Sequence, residues 1–258
     1  MLILLPPSEG KASPGRGRPL DLESLSHPCL TDARRRVADA LVAVSERSDA
    51  ADLLGLGRTQ LDLLDRNRTL WTAPTARADR VYRGVLHDAL GFDRLSPAAR
   101  RRSATRVAIT SSVFGLLRPG DRIPSYRLSG DASLPGLGPV AAVWRPELGE
   151  AVQRSLGHRG LLVDLRSGTY AAFWRPPAAL AGRVATVRVL HEVDGVRKVV
   201  SHFNKATKGR IARVLLEEGS DPRTPSQLAD ALRGSGWKVE QGEATAHGTR
   251  LDVVVEQV

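Results

Sequence analysis

The sequence predicts an α+β protein, a single compact mixed α/β domain over residues 1–258 that carries a helix-hairpin-helix within about 45–67. Three observations lead there. Short aliphatic and β-branched runs at 1–5, 105–110 and 160–165 are interspersed with longer stretches of helical spacing. Pro, Gly and Ser punctuate these elements, yet none of the intervals reads as a flexible linker. With 41% hydrophobic residues the chain is long enough to bury a full core. Strands and helices do not alternate regularly enough for a doubly wound sheet, and neither GxGxxG nor GxxxxGK[ST] occurs.

The first strand, residues 1–5, is stopped by Pro6 and Pro7. Its apolar run is too short for a membrane span, and no basic residues precede it as they would in a secretory leader. Residues 12–28, rich in Pro, Gly and Ser, form a surface loop. Val37, Leu41 and Val44 then repeat at helical spacing, with Thr31 and Asp32 as caps. In 45–67 a short helix runs into Leu54, Gly55, Leu56 and Gly57, and a second starts near Arg58 or Thr59. A further helix spans about 75–90 on Val81, Val85, Leu86 and Leu90. Ser96 and Pro97 cap and open a basic helix through Arg100, Arg101 and Arg102. Strands follow at 105–110 and 160–165, separated by a helix from Arg145 and Pro146 to about Leu156. Two strands over 183–203 meet at Asp194 and Gly195, a hairpin signal. A helix over 204–217 ends at Gly219, and Thr224, Pro225 and Gln227 form a capping box for another. Strands around Val239 and Val253 close the chain.

The formal net charge of +10 comes mainly from arginine, whose planar fork suits phosphate. A polyanionic partner accounts for it; so does the arginine enrichment of a GC-rich genome. Cys29 is the only cysteine, and no zinc-ligand spacing occurs, so a reducing cytoplasm, no disulfide, no metal and no cofactor are expected. None of the six histidines has HxxxH spacing, and only His202 stands out, by its neighbours. No GxSxG elbow supports a hydrolase triad. No membrane partner is expected, and the chain is expected to be a monomer.

Several segments carry candidate chemistry. In the hairpin, Gly55 and Gly57 permit a tight turn, and the amides opening the next helix give a positive patch for a DNA phosphate. Leu56 and Arg58 belong to that contact, with Arg66 and Arg68 on neighbouring phosphates; the competing reading is an ordinary helical hairpin. A second glycine turn at 134–144 has a weaker helical context. The loop 111–130 places Arg118, Asp121, Arg122, Tyr126 and Arg127 after a strand, where Arg118 and Asp121 either serve a site or pin the loop to each other. Ser8, Glu9, Lys11, Asp164, Ser167, Tyr170, Lys205 and Lys208 also follow strands and would converge on one cleft if those strands share a sheet. The bland alternative there is an Asp164–Lys205 ion pair.

Taken in order, MLILLPPSEGK, VYRGVL, SSVFGLLRPGDRIPSYRL, DLRSGTY and SHFNKATKGR resemble the YaaA family of peroxide-stress proteins from the first residue to about Leu216. The resemblance implies a cytoplasmic protein with an unusual mixed α/β fold containing a helix-hairpin-helix. It further implies binding of duplex and other DNA forms, and a link to limiting damage from iron and peroxide. Gly55, Leu56 and Gly57 take the hairpin position, and Lys205, Lys208 and Arg210 fall on the family's lysine-rich segment, interrupted here by Ala206 and Thr207. The expected function is duplex DNA binding through the phosphate backbone with little sequence specificity, by Gly55, Leu56, Gly57, Arg58, Lys205, Lys208 and Arg210. The alternative is an enzyme acting on a small phosphorylated or nucleobase-containing substrate, with Ser8, Glu9, Lys11, Arg118, Tyr126, Asp164 and Lys205 as candidate catalytic residues.

Overall fold

The structure, a computed structural model, describes every residue except 194, 195, 199, 257 and 258, and leaves out the side chains of 193, 201 and 202. The Asp194 and Gly195 turn and the His202 side chain therefore lie outside the described residues.

The strands in chain order are β1 (Leu2–Leu5), β2 (Ala76–Arg77), β3 (Val107–Ser111), β4 (Gly115–Leu117), β5 (Arg122–Ile123), β6 (Ser133–Leu134), β7 (Gly138–Pro139), β8 (Leu162–Asp164), β9 (Val184–Val193), β10 (Val196–Lys198), β11 (Lys238–Thr245) and β12 (Gly248–Glu256). The helices are α1 (Thr31–Ser45), α2 (Ala50–Leu53), α3 (Asp62–Arg68), α4 (Ala78–Val81), α5 (Val85–Leu90), α6 (Pro97–Arg106), α7 (Val140–Leu156), α8 (Gly168–Ala171), α9 (Ser201–Glu218) and α10 (Pro225–Gly234). One large mixed sheet runs β11-β12-β9-β8-β1-β3-β4, with β10 also paired to β9. Its centre, from β12 to β3, is parallel, and β11 and β4 are antiparallel edges. Every residue of β1, β3 and β8 is buried, the pattern of parallel strands covered on both faces.

This parallel core corrects the expectation that no doubly wound arrangement is present. From β1 the chain goes to β3 on one side, then returns to β8 on the other, so the carboxyl edge of β1 is a topological switch point. The connection from Leu5 to Val107 holds α1 to α6, which disguises the crossover in the sequence. A contiguous core runs from Leu2 to Val253. Helix α9 packs on β9, α5 and α6, while α1 packs on α3 and α7. At the α9–α5 contact a Cβ on Gly209 would stand 2.2 Å from the Leu86 carbonyl oxygen, so only glycine lets the helices approach this closely.

Local expectations fail where tertiary pairing overrides spacing. The helix expected over 75–90 breaks after Val81, because Ala12 N–H donates to Val81 O (2.8 Å) and Arg83 N–H to Gly10 O (3.1 Å). Tyr82 is thereby held extended in a bridge with Lys11, and Gly84 takes φ +133°. Helix α7 begins at Val140, not Arg145: burial of Val140, Trp144 and Leu148 on one face and an indole N–H to Ser112 O bond (2.7 Å) outweigh the interior Pro146. Thr31 does not cap α1, whereas Ser96 and Thr224 cap their helices, accepting from Ala99 N–H and Gln227 N–H at 3.2 Å each.

The hairpin segment is two short helical pieces. Helix α2 is a single turn, Gly55 turns at φ +62°, a 3-10 turn covers Arg58–Gln60, and α3 follows. Leu54 and Leu56 are buried beneath the turn. Among the described residues no helix is long and apolar enough to cross a membrane.

Candidate functional site

The carboxyl edge of β1, β3 and β8 collects the polar residues that follow each strand. Leu4 pairs with Asp164 and Leu5 with Ile109, so the segment from Pro6 to Lys11 leaves the sheet between the ends of β3 and β8. Bridging to Tyr82 fixes the Lys11 backbone, and its side chain turns into a half-buried slot. The ammonium donates to Ser8 O at 2.9 Å and lies 4.3 Å from the Tyr126 ring centre and 5.6 Å from that of Tyr82. Burial lowers the Lys11 pKa to about 7; Glu9 partly opposes this, and Arg127 and Arg66 reinforce it.

Around the slot runs a chain of hydroxyls. Tyr126 OH shares hydrogen bonds with Tyr82 OH (2.9 Å) and Ser111 Oγ (2.8 Å), and Ser111 Oγ accepts from Phe114 N–H (3.0 Å). Burial pushes the Tyr82, Tyr126 and Tyr170 phenols above their ordinary range, so all remain protonated donors at neutral pH. At the mouth, Arg127 is ion-paired with Glu9. Helix α3 holds this wall: the fully buried Asn67 accepts from Arg127 N–H (2.7 Å) and donates to Arg127 O (2.9 Å). Arg66 on the same helix reaches Lys11 O and Ser125 Oγ, each at 3.3 Å.

Ser8, Glu9, Lys11 and Tyr126 thus come together as expected from their positions after strands. Arg118 does not join them. Its guanidinium donates to Thr105 O (2.7 Å) and Val107 O (3.0 Å), at the amino end of β3, opposite the cleft. Nor does it ion-pair with Asp121, whose carboxylate instead accepts from Arg118 N–H and from the Ser26 amide and hydroxyl. Asp164 is engaged in a buried bidentate pair with Arg166 (2.9 and 2.7 Å), replacing the considered pair with Lys205. Burial raises the Asp164 carboxyl, but the Arg166 charge and hydrogen bonds outweigh this and hold it below the ordinary range. Arg166 also donates to Tyr170 O and Trp174 O, which makes the pair a clamp on the loop after β8.

Lys208 turns inward from α9 and donates to Leu165 O and Arg166 O at 3.1 Å each, so it caps the end of β8 and offers no outward charge. Lys205 and Arg210 are exposed, and their side chains make no hydrogen bond or ion pair among the described residues. At the glycine turn after α2, the Gly57 N–H donates to Gln60 Oε1 (3.3 Å), while Gly55, Gly57 and Arg58 are exposed; the arrangement does not show the expected helix-hairpin-helix. Over 45–68 four arginines face five carboxylates. Arg47 pairs with Asp49, Arg66 with Asp62, and Arg68 with Asp65 and Glu46, leaving Arg58 as the one arginine of this segment without a carboxylate partner among the described residues.

A basic concavity lies elsewhere. A groove of about 1220 Å³ is lined by Arg77, Arg80, Arg83, Arg94, Arg100 and Arg101, with Tyr82 and His87 in its wall. Arg77 pairs with Asp79, and Arg94 and Arg100 donate to the carbonyls of Asp88 and Asp93. Arg80, Arg83 and Arg101 are exposed, and their side chains make no hydrogen bond or ion pair among the described residues. His87 is buried, its Nε2 3.1 Å from Pro6 O and its Nδ1 without a partner; burial lowers its pKa to about 4, and the imidazole is neutral. Sequence reasoning missed Tyr82, His87, Ser111 and Asn67. Only Tyr82 and His87 carried a signal, in an apolar run that the helical reading absorbed.

Residues 1–243 match the family described as Peroxide stress protein YaaA. A UPF0246 protein of Streptomyces coelicolor is 49% identical over 263 residues, covering 100% of both chains. One from Corynebacterium efficiens is 45% identical over 94% of this chain and 96% of its own. A more distant UPF0246 protein from a Shewanella species is 28% identical over 84% of this chain and 86% of its own.

Proposed function

Because the chain belongs to the YaaA family of peroxide-stress proteins, we propose that it acts on DNA, binding the phosphate backbone without reading bases. The observation that carries this reading is the groove with six arginines against three carboxylates, Asp79, Asp88 and Asp93. Three of those arginines, Arg80, Arg83 and Arg101, keep their guanidinium groups free for phosphate oxygens. The hairpin is a secondary contact: a Cβ at Gly55 or Gly57 would meet nothing within 4 Å, so the turn is open to a close approach, with Arg58 beside it. Lys205 and Arg210 add exposed positive charge on α9, whereas Lys208 is spent on the carbonyls of Leu165 and Arg166.

The test is fluorescence anisotropy of a labelled duplex across a salt series, on the wild type, on Arg80→Ala/Arg83→Ala/Arg101→Ala, and on Gly57→Val. Gly57 has φ −71°, so valine there adds bulk without backbone strain. Each lost phosphate contact should flatten the log–log salt slope by about 0.9. The triple variant should therefore lose about 2–3 from the slope, and Gly57→Val should weaken binding with little change in slope. A slope untouched by the triple substitution overturns the groove assignment, and absence of salt-dependent binding overturns the DNA reading.

A further inference from the structure

We infer that Lys11 is the reactive amine of a small-molecule site, forming an imine with the carbonyl carbon of a compact anionic oxo compound whose anionic group is held by Arg127 and Arg66. The inference is independent of DNA binding. It starts from composition: of 38 basic residues only five are lysines, at 11, 198, 205, 208 and 238. In a chain that uses arginine almost throughout, an enclosed lysine supplies what arginine cannot, an amine able to lose its proton near neutral pH. Two lysines have enclosed amines. Lys208 spends its donors on two carbonyls, whereas the Lys11 amine makes one hydrogen bond among the described residues, to Ser8 O, and otherwise faces aromatic rings.

The surroundings of Lys11 suit nucleophilic chemistry. Among the described residues no carboxylate oxygen lies within ion-pair distance of Nζ; the anion that favours the charged form from farther away, Glu9, is itself paired with Arg127. The slot lies at the carboxyl edge of a parallel sheet beside its switch point, where such folds place ligands. Arg127 Nε is buried without an acceptor, a donor aimed at nothing in the protein. Arg66 donates to the Lys11 carbonyl and so stands beside the same segment. Tyr126 closes the floor and keeps its proton. In the reaction the amine nitrogen bonds to the carbonyl carbon, the carbonyl oxygen leaves as water with the two amine protons, and no oxidant or reductant is consumed.

The experiment is trapping at pH 7.2 with sodium cyanoborohydride, using glyoxylate and glyceraldehyde 3-phosphate as anionic probes and acetaldehyde as the neutral one, followed by peptide mass mapping. Wild-type protein should take the anionic probes at Lys11 at least tenfold faster than at Lys198, Lys205 or Lys238. Arg127→Ala should remove the preference for anionic over neutral probe while Lys11 still labels with acetaldehyde. Mapping on the wild type needs no variant to fold. Labelling confined to the exposed lysines and the Met1 amine overturns the assignment, and equal labelling by anionic and neutral probes overturns the anion-holding role of the arginines.

Discussion

Replacing Lys11 with methionine should change the pH dependence of stability in one window and one direction. Burial lowers the Lys11 pKa from 10.5 to about 7. Between those values the unfolded chain holds a proton that the folded chain lacks. Unfolding free energy therefore rises with pH across the window, at up to about 1.4 kcal/mol per pH unit. The full interval would give about 5 kcal/mol; because the residue is only half-buried, screening reduces this to roughly 2 kcal/mol. Below the folded pKa the cost of a desolvated ammonium is fully present, and it is relieved as pH rises toward 10.5. Urea unfolding of wild type and Lys11→Met from pH 6 to 10 isolates this term, because the other titrating groups cancel in the difference. The wild type should gain about 2 kcal/mol on the variant between pH 7 and 10, with a flat difference below pH 6. Lost packing on Tyr126 and the lost bond to Ser8 O only offset the curves vertically. Curves that run parallel across the window would refute an enclosed, unpaired amine.

Two further substitutions separate structural roles from chemical ones. Asp164→Ala strands the buried Arg166 charge and should cost about 3–5 kcal/mol, read as a fall in melting temperature of roughly 6–20 °C. If the melting temperature holds while ligand binding is lost, Asp164 belongs to the site chemistry instead. Gly209→Ala gains helix propensity of about 1 kcal/mol but drives a Cβ against the Leu86 carbonyl, so a net loss of about 1–3 kcal/mol is expected by chemical denaturation; a stabilised variant would mean that α9 and α5 do not pack this closely.

Features set by local chemistry were legible in the sequence. The Ser96 and Thr224 caps, the Gly219 helix end at φ +75° and the all-buried β1 follow from residues adjacent to one another. Pairings across the chain were not. Tyr82 reads as one more apolar position of a helix until the Gly10 to Ala12 segment, distant in sequence, pairs with it. The parallel core was hidden because the step from β1 to β3 passes through six helices before the partner strand arrives. In the site, Glu9, Lys11 and Tyr126 were legible as polar residues after strands. Arg118 and Asp164 carried the same signal and play a different role, since backbone carbonyls of Thr105 and Val107 claim one, and Arg166, two residues along, claims the other. A charged residue at a strand end marks either a site or a clamp, and only its partners decide which.

The glycine turn at Gly55 to Gly57 and the Lys11 slot share helix α3, which bears on how either proposal is tested. Helix α3 is the second arm of the turn at Gly55 to Gly57 and also the wall of the Lys11 slot, because Asn67 grips both backbone polar groups of Arg127 and Arg66 reaches the Lys11 carbonyl. A phosphate bound at the turn would therefore press on the element that positions Glu9 and Arg127. Substitutions inside α3 disturb both sites together and cannot assign an effect to either. Gly57→Val acts on the open turn, and the Arg80, Arg83 and Arg101 set acts on a groove whose wall shares only Tyr82 with the slot. A change in Lys11 labelling when duplex DNA is added to the wild type, lost in Gly57→Val but kept in the groove variant, would locate the coupling in α3. The same change lost in the groove variant would route it through Tyr82.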